Sequence, residues 1–423
     1  MLGFKKKRIY LDTAATTPVD LRAVKAMEPF LTGDFGNPSS LHQEGVAAQK
    51  AMAEAREGVA QILGAHADEI IFTGSGTESD NLAILGVARG LLAKNKIKQP
   101  GHIIVSAIEH RAVLESCAQL EREGWRIDYL TVDDQGIVKL DELEKKLRPD
   151  TALVSVMYAN NEIGTIQPIR EIAKFLRHWR SSASLRGYSR SNLEIASSAG
   201  TPSRNDIQGE RLPYFHTDAC QAPRFLPLGV EQLGVDLLTL NGSKIYGPKG
   251  VGCLFVRRNT FIEPIIVGGG QERGLRSGTE NVAGIVGFAT ALKIAAAGAE
   301  KESTDLEAVR DYFIAELRKI SGVVINGHLA ERLPNNINVT FPGVPGELAV
   351  LWLDAQGIAA STGSACSTHH KDDAHVIMSL GKNRDYADRT VRFSLDRGAS
   401  KADVDYTVRV IKEILQKNRK INL

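Results

Sequence analysis

Asp218, in FHTDACQ, and Lys244, in NGSKIYGPKG, each sit just past an apolar run that reads as a strand, 26 residues apart. That separation leaves room for one crossover and a return strand, so both side chains can reach the same edge of a sheet. A lysine amine can hold an aldehyde as a Schiff base, and a carboxylate can pair with a pyridinium nitrogen and strengthen its pull on electrons. Together they suit pyridoxal phosphate. Either residue alone reads just as well as an ordinary surface group.

Such a cofactor needs a cradle for its phosphate. In IIFTGSGTESDNLAI, residues 70–84, an apolar strand meets small residues ending in Gly76 and Thr77 and then a helix. Small side chains let backbone N–H groups approach an anion at a helix N-terminus. The same turn reads equally as a tight strand-to-helix connection, and it carries neither a P-loop lysine nor GxGxxG. His110, in SAIEHRAV, falls where another strand gives way to a helix and could stack on a pyridine ring, relay a proton or be structural. Asn161, in MYANNEIG, and Gln221 follow two further strand exits, placed to hydrogen-bond a phenolic oxygen or to cap turns. Cys366, in STGSACST, is flanked by small residues that give a thiol little apolar cover, which fits a reactive thiol or an inert loop cysteine. Cys117 and Cys253 lie in apolar helix and strand patterns, while Cys220 fits either class. Arg392, in VRFSLDR, sits on an alternating strand, where its fork could bind a carboxylate or face solvent.

The elements that would carry these residues alternate between strand and helix, the pattern of βαβ units around a mostly parallel sheet. Apolar runs at Ile70–Phe72, Ile103–Val105 and Leu153–Met157 read as buried strands, and strand signals resume at Tyr214–Thr217, Leu237–Leu240 and Val251–Val256. Helical spacing marks Met52, Ala55, Val59, Ile62 and Leu63, then Leu82–Leu92 and Ala112–Leu120. Residues 178–212 break the rhythm with serine and arginine and read as a surface insertion, whose Arg180, Arg186, Arg190, Arg204 and Arg211, with nearby Arg177, could make a docking patch or a plain solvated loop. A helix-rich part follows, with amphipathic stretches near 302–320 and 401–416 and strand-like Ile337–Phe341 between them. No internal repeat is visible.

Composition narrows the class. The chain has 423 residues, 43% hydrophobic and 24% charged, with a net charge of +2. That excludes a disordered or fibrous protein and gives no basic excess for nucleic acid or an anionic membrane. The four cysteines show no CxxC metal spacing and are too few for a disulfide framework, which fits a reducing compartment. MLGFKKKRIYL lacks an apolar h-region, and no later stretch reads as a membrane span, so a cytoplasmic location is expected.

In order along the chain, YLDTAATTP, FGNPSS, TGSGTESDNLAI, EHRAVLESC, NNEIGTIQPI, HTDACQ, KIYGPKGVG, GGGQERGLRSGTENV, NNINVTF, TGSACS and RFSL resemble the motifs of cysteine desulfurases of the NifS and IscS type. These are class-V aminotransferase-like, fold type I pyridoxal phosphate enzymes. The resemblance implies an α/β fold: a large domain with a mostly parallel seven-stranded sheet over 15–262, and a smaller α+β domain from 1–14 and 263–423. It implies Lys244 as the Schiff-base lysine, Asp218 as the pyridinium partner, His110 as the ring stacker, and Asn161 and Gln221 as contacts to the cofactor hydroxyl. Gly76, Thr77 and Ser243 would hold the phosphate, joined by Thr279 from a neighbouring subunit in a homodimer. Arg392 and Asn37 would hold the carboxylate of L-cysteine, and Cys366 would take its sulfur and pass it to an acceptor such as an iron-sulfur scaffold. Two positions differ from the common pattern: NGSK replaces SGHK at Ser243, and RFSLDR replaces RFSLGR at Asp396. A selenocysteine lyase or an aminotransferase would use the same scaffold, and a binding protein that has lost turnover is the non-catalytic reading.

Overall fold

The computed structural model describes residues 8–187, 212–363 and 374–421. Cys366 and most of the expected insertion lie outside these residues. The strands, in chain order, are β1 (Ile9–Tyr10), β2 (Ile70–Thr73), β3 (His102–Ser106), β4 (Arg126–Leu130), β5 (Thr151–Ser155) and β6 (Tyr214–Asp218). They continue as β7 (Leu237–Asn241), β8 (Gly252–Val256), β9 (Val324–Asn326), β10 (Asn336–Thr340), β11 (Ile358–Ala359) and β12 (Thr390–Ser394). Seven of them form one sheet in the order β2-β8-β7-β6-β5-β3-β4, where only β8 runs against its neighbours. The α/β class and mostly parallel sheet read from the sequence are therefore present.

Every residue of β2, β3, β5, β6 and β8 is buried, which is why these strands are continuous apolar runs and not alternating ones. Successive side chains still point to opposite faces. Ile70 and Phe72 join one core with Val59 and Leu63 of the helix Gln43–Leu63, whereas Ile71 joins another with Val87, Leu91, Val113 and Leu120. The second face is covered by a helical run that starts at Gly76–Asn81, passes through a π-helical turn at Leu82–Gly86 and ends with Val87–Ala93, and by the helix Arg111–Arg122.

A three-stranded antiparallel sheet, β12-β10-β9, and the parallel pair β1-β11 form a separate layer. Its core gathers Leu11, Leu306, Phe313, Ile337, Phe393 and Val408. The helix Val282–Arg318 serves both: Ile285, Phe288 and Leu292 pack on the large-sheet core, and Leu306, Phe313 and Leu317 on the small one. By length and composition this helix could cross a membrane, with a mean hydropathy of 1.7 over an 18-residue window. This corrects the sequence reading that no such stretch exists. Half of that window is buried inside the protein, as in the core helix of a globular domain.

The segment read as an insertion from 178 also changes. The helix Ile169–Gly187 continues into it, because Ala, Leu and Arg there favour a helix and isolated serines do not prevent one. Arg180 is tied into the fold: its Nη2 lies 2.7 Å from Asp236 Oδ2, and its Nε donates to the Pro213 carbonyl at 3.0 Å; Arg190, Arg204 and Arg211 of the expected patch lie outside the described residues.

Candidate active site

Parallel strands end at a common edge, and in open α/β sheets ligands bind beyond those ends. Here Gly76 follows β2, His110 follows β3, Asn161 follows β5, Asp218 ends β6 with Gln221 just beyond, and Lys244 follows β7. All of them, with Thr77 and Arg392, line one cavity, together with Ala14, Ala15, Asp80, Cys220 and Asn241. A larger cleft, lined by Arg22, Lys293, Lys301 and Arg397, lies elsewhere and holds none of the expected site residues.

The cradle after β2 is built by its own side chains. Ser75 caps the helix by accepting the Glu78 N–H at 3.1 Å, and Glu78 Oε2 accepts the Gly74 N–H at 2.9 Å. Arg276 Nε clamps the same carboxylate at 2.8 Å. A Cβ on Gly76 would stand 2.8 Å from Cys220 Sγ, so only glycine leaves this approach open. The first N–H groups of the helix have no carbonyl within it to accept them and form the positive end of its dipole.

Asp218 is buried, and its Oδ1 accepts the Cys220 N–H at 2.9 Å. Lys244 ends a short 3-10 turn capped by Asn241, and its Nζ donates to the Ala15 carbonyl. His110 caps the helix Arg111–Arg122, its Nδ1 accepting the Ala112 N–H at 3.1 Å. Burial pulls its pKa below the ordinary value, opposed by the Asp218 charge and reinforced by Lys244 and Arg111. With Nδ1 accepting, the proton of the neutral ring belongs on Nε2.

Arg392 is only 1% exposed. Its Nη2 pairs with Asp12 Oδ1 at 2.8 Å and its Nη1 donates to the Asn161 carbonyl at 3.2 Å, while Nε has no partner. An arginine buried with an unmet donor beside a cavity is equipped to receive an anion. Its backbone bridges to Ser361, just before TGSACS.

Three expected residues stand apart from the lining. Ser243 Oγ donates to Asn241 Oδ1 at 2.8 Å, Asn37 is exposed and its Oδ1 accepts the Ser39 N–H at 2.9 Å, and Thr279 is exposed. Asp396, the departure in RFSLDR, accepts a hydrogen bond from the Tyr246 hydroxyl, and the Arg397 guanidinium packs 3.4 Å over that tyrosine ring. Asp80 and Asn241 line the cavity without having been singled out, although both stand inside the quoted motifs TESDN and NGSK.

Glu109, next to His110, is fully buried; its Oε1 accepts the Met157 N–H at 2.7 Å and the Ser106 hydroxyl, and Oε2 has no partner. Burial pushes its pKa from 4.5 up to about 8, against those hydrogen bonds. Between these values the unfolded chain has lost the proton that the folded chain keeps, so stability falls as pH rises through that window. Glu109→Gln cannot ionise and is expected to flatten the fall, an effect on the order of a few kcal/mol. Melting temperatures of both proteins across the window check this; parallel curves would mean that the carboxyl is ionised in the fold.

The pattern of the family described as Aminotransferase class-V matches residues 9–183 and 210–407. The chain belongs to the class-V aminotransferase family. The two matched stretches flank the serine and arginine rich segment, which the pattern skips. A cysteine desulfurase IscS of Dictyoglomus turgidum is 46% identical over 99% of this chain and 97% of its own length. One from Methanosarcina thermophila is 43% identical over 99% of this chain and 94% of its own. A solved NifS-like protein superposes with a TM-score of 0.83 at 36% identity, covering 97% of this chain and 99% of that one. The separate large and small sheets agree with the fold type I architecture of this family.

Proposed function

We propose that this family member is a pyridoxal phosphate-dependent cysteine desulfurase. It takes sulfur from L-cysteine, releases L-alanine and passes the sulfur from Cys366 to an acceptor such as an iron-sulfur scaffold protein. The observation that carries this reading is the arrival of Lys244, Asp218, His110 and the Gly76–Thr77 turn at one sheet edge around one cavity. Its support from relatives is the name cysteine desulfurase on proteins that match nearly the whole chain, and a solved structure of SspA in complex with cysteine, 33% identical with a TM-score of 0.71 over 92% of this chain.

The residues present fit the cofactor: a helix N-terminus for the phosphate, a buried carboxylate for the ring nitrogen, a lysine for the aldehyde and an imidazole for the ring face. When bound, pyridoxal phosphate supplies an electron sink for the carbanion left at the substrate Cα. Asp218 would keep the ring nitrogen protonated by pairing with it. Lys244 would hold the aldehyde carbon before the substrate arrives and then carry the proton removed from Cα. Arg392, with its unmet Nε, would grip the α-carboxylate and orient the substrate. Cys366 thiolate would attack the substrate sulfur; as the new S–S bond forms, the Cβ–S bond breaks and its electron pair passes to carbon, where a proton completes alanine. Gln221 and Asn161 would hold the ring from its edge.

We place the enzyme in the cytoplasm as a homodimer. The exposed apolar side chains of Leu21, Phe35, Leu41 and Val267 support a second copy as partner, and exposed Thr279 would reach that copy's phosphate site. The test is incubation of the cofactor-loaded protein with L-cysteine and dithiothreitol, expected to yield equal amounts of L-alanine and sulfide. Absence of both, with cofactor bound, rejects the reading; release of selenide from L-selenocysteine alone would mark a lyase.

A further inference from the structure

Tyr246 stands two residues beyond Lys244, outside the cavity lining, and is 4% exposed. Its φ of +60° is a left-handed conformation that a bulky residue adopts only at a cost, so its surroundings must hold it. Three segments do so. From the N-terminal stretch, Thr17 Oγ1 accepts the Tyr246 N–H at 2.8 Å, and the Asp20 N–H donates to the Tyr246 carbonyl at 2.8 Å. Beyond the end of β12, Asp396 accepts the phenol hydrogen and the Arg397 N–H donates to the phenol oxygen at 3.2 Å. Two guanidinium groups pack over the ring, Arg397 at 3.4 Å and Arg224, from the segment after β6, at 4.8 Å from its centre. Each has its own carboxylate: Arg397 Nη1 lies 3.0 Å from Asp20 Oδ2, and Arg224 Nε lies 2.8 Å from Glu302 Oε1. Burial pushes the Tyr246 pKa up, against the Arg224 charge and with the help of Asp396, so the phenol stays the donor.

The two sides of this contact lead to Lys244 and Arg392. Lys244 and Tyr246 leave β7 of the large sheet together, and the Ser243 carbonyl between β7 and Lys244 accepts both the N–H of Thr17 at 2.9 Å and its hydroxyl at 3.0 Å. Arg392 lies on β12 of the small sheet, four residues before Asp396. We propose that Tyr246 and Asp396 are a pair of positioning residues, a hydrogen-bonded latch that fixes the Lys244 turn against the strand bearing Arg392. This rests on the desulfurase reading, in which Arg392 grips the substrate carboxylate and Lys244 takes the proton from the carbon that bears it. The placement of one layer against the other here sets the reach of Nζ to that proton, and slack of about an ångström is costly in rate. The Gly76–Thr77 cradle is held instead by Glu78 and Arg276, so the latch governs turnover and not cofactor uptake. A glycine, the common residue in place of Asp396, offers no acceptor for the phenol.

The experiment compares the full-length parent with Tyr246→Phe, Asp396→Ala, Asp396→Asn and the double variant Tyr246→Phe with Asp396→Ala. It reads kcat for alanine formation per cofactor bound, cofactor affinity, and the melting temperature of the apoprotein. Tyr246→Phe keeps the ring beneath its two cations and loses only the donor; it and Asp396→Ala are each expected to lose about tenfold in kcat, with pyridoxal phosphate affinity within about twofold. Asp396→Asn keeps an acceptor oxygen and is expected to stay within about threefold of the parent. The double variant is expected to be no slower, and its apoprotein to melt no lower, than the poorer single variant, because one bond is lost only once. Asp396→Gly replaces Asp396→Ala if that chain fails to fold. Losses that add overturn the inference, as does an unchanged kcat per bound cofactor in the single variants or an Asp396→Asn as slow as Asp396→Ala. The two residues would then act separately, through packing alone, or through the carboxylate charge. A parent that takes up pyridoxal phosphate and makes no alanine defeats the functional reading itself and the inference with it, whatever the melting temperatures.

Discussion

Lys244→Ala is expected to lose alanine formation by about 10²–10⁴-fold, the range found when a positioned proton carrier is removed. Its side chain is half-buried at a cavity edge, where Nζ donates to the Ala15 carbonyl, and it is no part of the apolar cores that hold the fold together. The loss should therefore appear in turnover and not in thermal stability. Lys244→Arg sharpens the point, because a guanidinium keeps the charge but neither releases a proton at neutral pH nor condenses with an aldehyde. Both variants should be equally inactive, and borohydride should fix the cofactor mass to the parent alone. A variant retaining a tenth of the parental rate would remove Lys244 from the chemistry.

Cys366→Ser should abolish persulfide formation and cut alanine release at least about 100-fold, because a hydroxyl does not replace a thiolate as the nucleophile toward sulfur. The other three cysteines are poor substitutes. Burial pushes the Cys117 and Cys253 thiols far above their ordinary range, and burial with the neighbouring Asp218 charge does the same at Cys220. Thiolate is thus scarce at each of them at neutral pH. Mass spectrometry after one turnover should find a single added sulfur on Cys366, with Cys117→Ala as a control that still acquires it. Alanine released by Cys366→Ser at the parental rate, or sulfur found on another cysteine, would dismiss the assigned nucleophile.

The strand exits were legible because burial on both faces writes a strand as an unbroken apolar run, and each run ended in one of the quoted motifs. β4 was not, since RIDYL is an edge strand whose half-exposed residues make no such run. The first half of Val282–Arg318 also escaped notice: a helix segment rich in buried glycine and alanine has no polar face, so only its amphipathic second half shows a period. Within the site, Lys244, Asp218 and His110 announced themselves by chemical type. Asp80 and Asn241 did not, because what singles them out is burial beside the cavity, and burial of a polar residue is set by the fold and not by its neighbours in sequence. The aspartate in RFSLDR stands out in the sequence only as a departure from the common motif; the structure shows Tyr246 donating to it.

The helix shared by the two apolar cores has a consequence for how the protein comes apart. At about 1.5 Å per residue its 37 residues span some 55 Å. Were the small layer to melt alone, Leu306, Phe313 and Leu317 would be left in water on a helix still anchored by Ile285, Phe288 and Leu292. The cost of that half-stripped rod falls on both layers, so neither has an independent melting point. Heat loss of the sheet edge around the cavity and loss of the layer that bears Arg392 are therefore expected as one cooperative event, enforced by continuous backbone.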